Sequence, residues 1–479
     1  MLKLLIVFTV LNCSVYIFGQ WLPDYRFTNH PDSSLTSPNN ARCIAANGNI
    51  IHTAWYDNRD GNYEIYYKRS SDNGAAWGSD TRLTNDAGSS IRPAISASGL
   101  TVHLVWYDTR NGNEEIYYKR SVDEGLSWSV DTRLTTNANN SILPSVSSLG
   151  LIVNVIWIDN RDGNYEVYYK RSTDAGVSWG ADTRLTNNAS VSLMASSAIS
   201  GSMVHVVWDD MRDGPNEIYY KRSTDEGTTW SADTRLTSNS GVSWFPTIAA
   251  NESHVQVSWV ENSDGNPEIY SKRSTDAGVT WEANLRQTNN TAISIRPTIS
   301  ISGTYVHLVW EDNVDGNEEV YYKYSTNSGA GFLPAVRLTN DPAVSVYPCH
   351  NVSASGVHII WRDFRDGNWE VYYKRNPTGN LVNIHILSSE SPSLYSLGQN
   401  YPNPFNPMTK LKFEIPNSGF VKLKVYDVLG REVAVLVNEN LKAGSFEADF
   451  YASGLTSGVY FCRIQAGEFT DVKKMILVK

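Results

Sequence analysis

At 479 residues the chain is long enough for two or three domains with sizeable cores. A formal charge of −10 excludes the basic face that nucleic acid requires. With 15 Trp, 27 Tyr and few long helix-forming runs, the composition predicts an all-β protein.

The first residues, MLKLLIVFTVLNCSVYIFGQ, combine Lys3, an apolar run and the small Gly19, the pattern of an export signal over 1–19. Cys13 follows the bulky Asn12 inside that run and makes a poor lipidation site. No later segment is apolar for long enough to span a membrane, so the mature chain is expected to be exported without a span.

Residues 20–376 are repetitive. Trp55, Trp106, Trp157, Trp208, Trp259, Trp310 and Trp361 stand 51 residues apart, and Gly61 to Gly367, Glu64 to Glu370 and Lys68 to Lys374 keep the same step. Each unit reads as four short strands between turn residues; in the second copy they are PAISAS, VHLVWYD, EEIYYKRS and TRLT. Four strands in about 50 residues is a propeller blade, and seven copies predict a seven-bladed β-propeller. The seventh copy lacks a fourth strand after Arg375. At the other end, Trp21–Asn29 overlays Trp77–Asn85 at Trp21, Asp24, Arg26, Thr28 and Asn29. The N-terminal strand is therefore expected to close the ring and leave no free sheet edge.

Several repeated residues carry polar chemistry. An acid follows each repeat Trp by two positions: Asp57, Asp108, Asp159, Asp210, Glu261, Asp312 and Asp363. Five copies add an arginine (Arg59, Arg110, Arg161, Arg212, Arg365), and Ser263 and Val314 replace it in the others. An arginine at the third loop position offers no oxygen and argues against calcium. The expectation is a hairpin turn with a local ion pair, worth under ~1 kcal/mol if exposed. His52, His103, His205, His307 and His358 share a strand position with Asn154 and Gln256, which suggests polar packing rather than a metal site. Residues repeated in every blade are related by rotation and cannot converge on one catalytic constellation. No catalytic residue, metal or cofactor is assigned.

Function is expected where the repeat breaks, in the segments preceding each first strand. These carry Arg92, Leu143, Met194, Trp244 with Phe245, Arg296 and Tyr347, and the first copy has a longer entry, HPDSSLTSPNNARC. Arg92, Trp244, Phe245, Arg296 and Tyr347 are the ligand-binding candidates, guanidinium for a carboxylate and rings for sugar faces. The alternative is that they plug the channel mouth. Cys43 and Cys349 share one repeat position on the two terminal blades and form a candidate disulfide, if their Cα atoms approach within ~7 Å. Cys462 has no evident partner.

After the repeats, 377–396 reads as a linker rich in Ser, Asn and Pro, and 397–479 as alternating strands of a small Ig-like β-sandwich.

Three resemblances follow from these residues. SSDNGAAW, SVDEGLSW, STDAGVSW, STDEGTTW and STDAGVTW resemble the Asp-box (BNR repeat), S-x-D-x-G-x-x-W, of sialidase-like propellers; STNSGAGF is a degenerate sixth copy with Asn327 and Phe332. The resemblance implies structural roles for Asp72, Trp77, Asp123, Trp128, Asp174, Trp179, Asp225, Trp230, Asp276 and Trp281. Each Asp would bind its own turn, and each Trp would pack that turn onto its sheet, away from any active site. DNRDGNYEIYY followed by RLTN resembles the blades of TolB-like propellers. LGQNYPNPFNPMTKLKFEIP, VYDVLGREV, LKAGSFEADF, SGVYFCRI and the terminal KKMILVK resemble the type IX secretion C-terminal sorting domain. That implies the type IX machinery as a partner and a secreted or outer-surface location.

Sialidases carry an arginine triad, an Asp acid/base and a Tyr–Glu pair. Arg92, Arg296 and Tyr347 match this in part. The family's Arg-Ile-Pro element is absent, no third arginine stands in an equivalent segment, and no unrepeated acid is expected beside Tyr347. Six blades are usual there, against seven here. The reading is a non-catalytic binding module for a glycan or surface protein, with a sialidase-like exo-glycoside hydrolase as the alternative and a structural surface-layer component as a third.

Overall fold

The computed structural model describes residues 21–37, 42–353, 356–377, 384–388, 391–406, 408–452 and 455–478; the expected export signal lies outside them. The described chain is all-β and forms nine antiparallel sheets, seven from residues 25–376 and two in the tail. None of its helices is long and apolar enough to cross a membrane.

The second sheet shows the common plan. Ser90–Ser98, Thr101–Asp108, Glu115–Ser121 and Thr132–Arg133 pair in that order. The middle strands are buried on both faces because a neighbouring sheet covers each side, so they read as near-continuous apolar runs. Each repeat Trp is at most 1% exposed.

Three ties join each sheet to the next. Lys119 Nζ donates to Leu83 O of the preceding sheet at 2.8 Å. Arg69 Nε donates to Glu124 O, in the Asp-box turn of the following sheet, at 2.7 Å. Trp128 meets Tyr67 of the preceding sheet edge-on at 5.0 Å between ring centres. The Asp-box Trp thus packs against its neighbour rather than against its own sheet, as sequence alone suggested. The same three ties link the seventh sheet to the first: Lys68 Nζ to Phe27 O at 2.8 Å, Arg375 Nη1 to Asn73 O at 2.5 Å, and Trp77 on Tyr373 at 5.0 Å. Tyr25–Arg26 pairs with Tyr372 and Tyr373, so the N-terminal strand supplies the fourth strand of the seventh sheet.

The Asp-box acids are consumed locally. Asp123 Oδ1 accepts the Ser127 amide at 2.9 Å, and the Gly125 amide donates to Ser121 Oγ at 2.8 Å. These bonds, led by the Ser127 hydroxyl, hold the Asp123 carboxyl down at about 2. The box glycine has a left-handed backbone, and a side chain on Gly176 (φ 81°) would collide with the Tyr118 hydroxyl. Gly176→Ala is expected to destabilise by roughly 2 kcal/mol or more in urea titrations. Gly163→Ala, at φ 105° with open space around it, should cost only the ~1 kcal/mol backbone term.

The turn acids depart from expectation. Asp159 is fully buried rather than exposed. It accepts from Trp157 Nε1, Ser141 Oγ and Arg161 Nε, each at 2.8 Å, and from Arg161 Nη2 at 2.6 Å. Burial alone would raise its pKa; the bonds from Arg161, Trp157 and Ser141 overcome that and leave it below the usual range. Arg161 Nη1 reaches on to Asp182 at 2.7 Å. This is an interior network, so the surface-pair value does not apply.

The histidines behave as polar packing residues. His52 Nδ1 meets Tyr67 Oη at 2.6 Å, and burial pushes its pKa down to about 3. At Asn154 the tyrosine hydroxyl of Tyr169 donates to Oδ1 instead. Cys43 and Cys349 do come together, in one buried cluster with Phe27 and Trp55, but with no disulfide between them, unlike the bond expected from the sequence. The thiols hydrogen-bond to each other, and Cys43 Sγ also accepts the Ser37 amide at 3.1 Å and donates to Pro93 O at 3.5 Å.

In the tail, Ile384–Ser388, Gly444–Tyr451, Met408–Ile415 and Ser396–Leu397 form one sheet; Glu432–Leu441, Gly419–Asp427, Gly458–Ala466 and Phe469–Leu477 form the other. Leu411, Phe413 and Ile415 of one and Val421, Leu423 and Val425 of the other share a core, while the alternate lysines face out, as a sandwich requires. Ile384–Ser388 lies within the expected linker and pairs with the sheet from Ile384↔Ala448 onward, so the sandwich begins earlier than 397.

Candidate functional site

The unrepeated residues sit inside the first strands, not ahead of them. Each first strand pairs with the second through a break in register; in the second sheet Ile91 faces Tyr107 and the next pair is Ala94 with Val105. Arg92, Leu143, Met194, Phe245, Arg296 and Tyr347 occupy these bulges with left-handed φ of 46–55°. For side chains other than glycine this costs of order 1 kcal/mol each, and a bulge re-aims its residue out of the ladder. Trp244 differs: it pairs with Val260 and packs, half-buried, into a cluster with Ile269, Leu308 and Trp310. It occupies the packing position of Ile91, not a ligand position.

A second unrepeated set faces the bulges. The residue after each repeat Trp is Tyr56, Tyr107, Ile158, Asp209, Val260, Glu311 or Arg362. Glu311 pairs with Arg296 and accepts the Tyr347 amide at 2.8 Å. An unrepeated acid therefore does stand beside Tyr347, contrary to expectation, although it binds the backbone of Tyr347. The Tyr347 ring lies between two guanidinium groups, 4.0 Å from Arg296 and 4.2 Å from Arg362. Arg296 continues to Phe245 at 5.8 Å. Arg362 Nε donates to Thr36 O at 3.0 Å, and its Nη2 donates to Tyr56 Oη at 3.1 Å. Arg92 lies 5.8 Å from the Tyr107 ring.

A ladder of alternating rings and guanidinium groups thus runs from the fifth sheet through the seventh to the first, with Arg92 beyond it. Leu143, Ile158 and Met194 give the remaining sector an apolar lining, interrupted by the buried Asp209. Arg296 is neutralised by Glu311, whereas among the described residues neither Arg92 nor Arg362 has a carboxylate partner. Both act on the Tyr56 hydroxyl between them. Arg362, which sequence reasoning missed, is with Arg92 the second arginine of this arc that has no carboxylate among the described residues.

Two acids are perturbed. Burial pushes Asp209 up to about 7, with Asp210 adding to the effect and the Phe245 amide opposing it; its Oδ1 has no hydrogen-bond partner. Burial also raises Glu311, against the pull of Arg296 and the Tyr347 amide, and Glu318 adds to the rise. Arg296, Glu311, Glu318, Tyr347 and Trp369 line a cleft of about 430 Å³ between the sixth and seventh sheets. Separately, a void of about 180 Å³ is lined by first-strand residues of all seven sheets, mostly Ala and Ser.

The missed residues left a readable signal. At a period of 51, the position after each Trp changes from Tyr to Ile, Asp, Val, Glu and Arg while its neighbours stay fixed.

Among solved structures, the chain is similar to the phage phi92 endosialidase at 11% identity, covering 88% of this chain and 80% of that one with a TM-score of 0.47. It is similar to the polysaccharide lyase Uly1 at 10% identity (76% and 94% covered, TM-score 0.48). A third is the Trypanosoma rangeli sialidase at 13% identity (83% and 85% covered, TM-score 0.43). No curated protein matches the chain. Residues 399–479 match the family described as secretion system C-terminal sorting domain. The chain carries a type IX sorting tail, and the protein is exported to the cell surface or the extracellular space.

Proposed function

We propose that residues 21–376 form a closed seven-bladed β-propeller whose mouth binds an anionic glycan or a carboxylate-bearing surface protein without turning it over. Closure is supported by the three inter-sheet ties between the seventh and first sheets and by the void that draws on all seven first strands. The observation that carries the binding reading is the unrepeated arc, in which Arg92 and Arg362 lack carboxylates and Tyr56 lies between them. Guanidinium pairs are suited to carboxylates, and half-exposed rings such as Tyr347 and Trp369 to sugar faces. The Asp-box acids take no part, since their own turns hold them.

Glycan-array binding followed by calorimetry tests this. Acidic glycans should bind, and Arg92→Ala and Arg362→Ala should each weaken binding at least about tenfold, the loss of one charge-assisted contact. Equal binding of neutral and acidic glycans by wild type and variants would overturn the reading.

One observation favours hydrolysis instead. Glu311, raised by burial, shares its cleft with Glu318, and a buried carboxyl held above its usual range is suited to act as a general acid. Turnover of a fluorogenic sialoside that disappears in Glu311→Gln would favour this second reading.

A further inference from the structure

Arg42 breaks the repeat below the mouth. Its position is filled in the other copies by Pro93, Pro144, Ala195, Pro246, Pro297 and Pro348. The first sheet's opening strand is split into Ser34–Leu35 and Ile44–Asn47, and Arg42 enters just ahead of the second piece. From there its side chain crosses the void, and Nη2 donates to Ile248 O of the fifth sheet at 3.1 Å. Protein surrounds the guanidinium, and what surface it keeps borders the 180 Å³ void.

This cation differs from the arginines of the repeated turns. Arg161 meets two carboxylates, Asp159 and Asp182, and Arg110 likewise meets Asp108 and Asp131. Among the described residues Arg42 has one carbonyl contact and no carboxylate. Burial lowers its pKa. Enclosed by protein, with one neutral acceptor among the described residues, this guanidinium keeps charge and donors that an anion can match.

The walls supply donors but no negative charge. Ser96 and Ser148 hydroxyls meet at 2.7 Å, and Ser197 Oγ donates to Ser147 Oγ at 3.2 Å. His350 is held on both ring nitrogens, by Thr298 Oγ1 at 2.5 Å and Ser300 Oγ at 2.8 Å. Burial keeps that ring far below its usual pKa, so it adds no charge.

We propose that the channel binds one small monovalent anion, of the halide class, against the Arg42 guanidinium, with channel hydroxyls as further donors. A single positive charge selects a single negative one, since a divalent oxyanion would leave an unpaired charge in the same enclosed space. The site lies apart from the ligand-binding mouth and does not depend on the reading given for it.

The test uses crystals and solutions of the chain lacking its export signal. Bromide soaks should place an anomalous peak beside the Arg42 guanidinium. In solution, Tm should rise by roughly 2 °C for each tenfold increase in chloride above its dissociation constant, compared with gluconate at equal sodium and ionic strength. Arg42→Met should lose that difference. If Arg42→Met fails to fold, the bromide peak and the chloride–gluconate comparison on the wild-type chain still decide. Coincident melting in the two salts, with bromide found only on the outer surface, would overturn the proposal.

Discussion

Replacing Asp209 by Asn is expected to stabilise the protein at pH 8 and to change little at pH 4. The folded carboxyl is pushed up to about 7 against an ordinary 3.8, because burial and the charge of Asp210 outweigh the backbone hydrogen bonds from Phe245 and from Asp209 itself. The folded state therefore holds this proton more tightly than the unfolded chain. Stability is greatest below pH 4, falls as pH rises toward 7 and levels off above it. The separation corresponds to at most about 4 kcal/mol at pH 8. Asn keeps the acceptor for Phe245 and removes the charge, while its new amide donors cost back of order 1 kcal/mol if unpartnered. Urea midpoints at pH 4 and 8 measure both ends. Equal midpoints at pH 8 would mean that Asp209 is ionised and stabilised by a cation.

The largest loss is expected from Asp159→Ala. It leaves Trp157 Nε1 and Ser141 Oγ without their buried acceptor and takes one of the two carboxylates from Arg161, which keeps Asp182; removing a buried charge from such a network costs about 3 kcal/mol. The repeat contains its own control. In the sixth sheet Val314 replaces the arginine, and Asp312 is satisfied by Trp310 Nε1 at 3.0 Å, Ser294 Oγ at 2.6 Å, Asn290 Nδ2 at 3.1 Å and the Val314 amide at 2.9 Å. Arg161→Val should therefore cost well under half as much as Asp159→Ala. Equal losses in chemical denaturation would show that the ion pair, rather than the indole and hydroxyl bonds, anchors the turn.

Much of the architecture was legible from the period of the Trp, Gly, Glu and Lys positions, because each repeated residue makes the same tie in every copy. Even the N-terminal strand's place beside Tyr372 and Tyr373 could be read from its match to Trp77–Asn85. What escaped was direction. The Asp-box Trp reaches a neighbouring sheet, and spacing within one unit says nothing about which sheet a ring meets. The buried state of Asp159 was hidden for a similar reason: an acid beside Gly and Asn in a turn looks exposed until the next sheet covers it.

The site was only partly legible. Bulge residues were picked out by their variation, but Asp209, Glu311 and Arg362 lie in strands whose apolar pattern reads as core. A charge there is expensive unless something compensates it, which makes those three substitutions more informative than any change in the loops. Trp244 shows the converse, since its aromatic character suggested a ligand while its register placed it in packing.

The borrowed strand has a consequence for assembly. His30 N donates to Glu370, 340 positions further along the chain, so the last sheet waits for nearly the whole repeat array before its fourth strand can dock. Sheets within the array need only local contacts, whereas this step carries the loop-closure entropy of the whole intervening chain. During translocation a chain with its leading strand undocked presents a free edge at one end and a matching strand at the other. At high concentration the strand of one copy fits the edge of the next, and the same pairing that completes the seventh sheet within one chain then links copies head to tail. Discrete molecules, rather than strings of them, depend on residues 21–29 finding their own seventh sheet first.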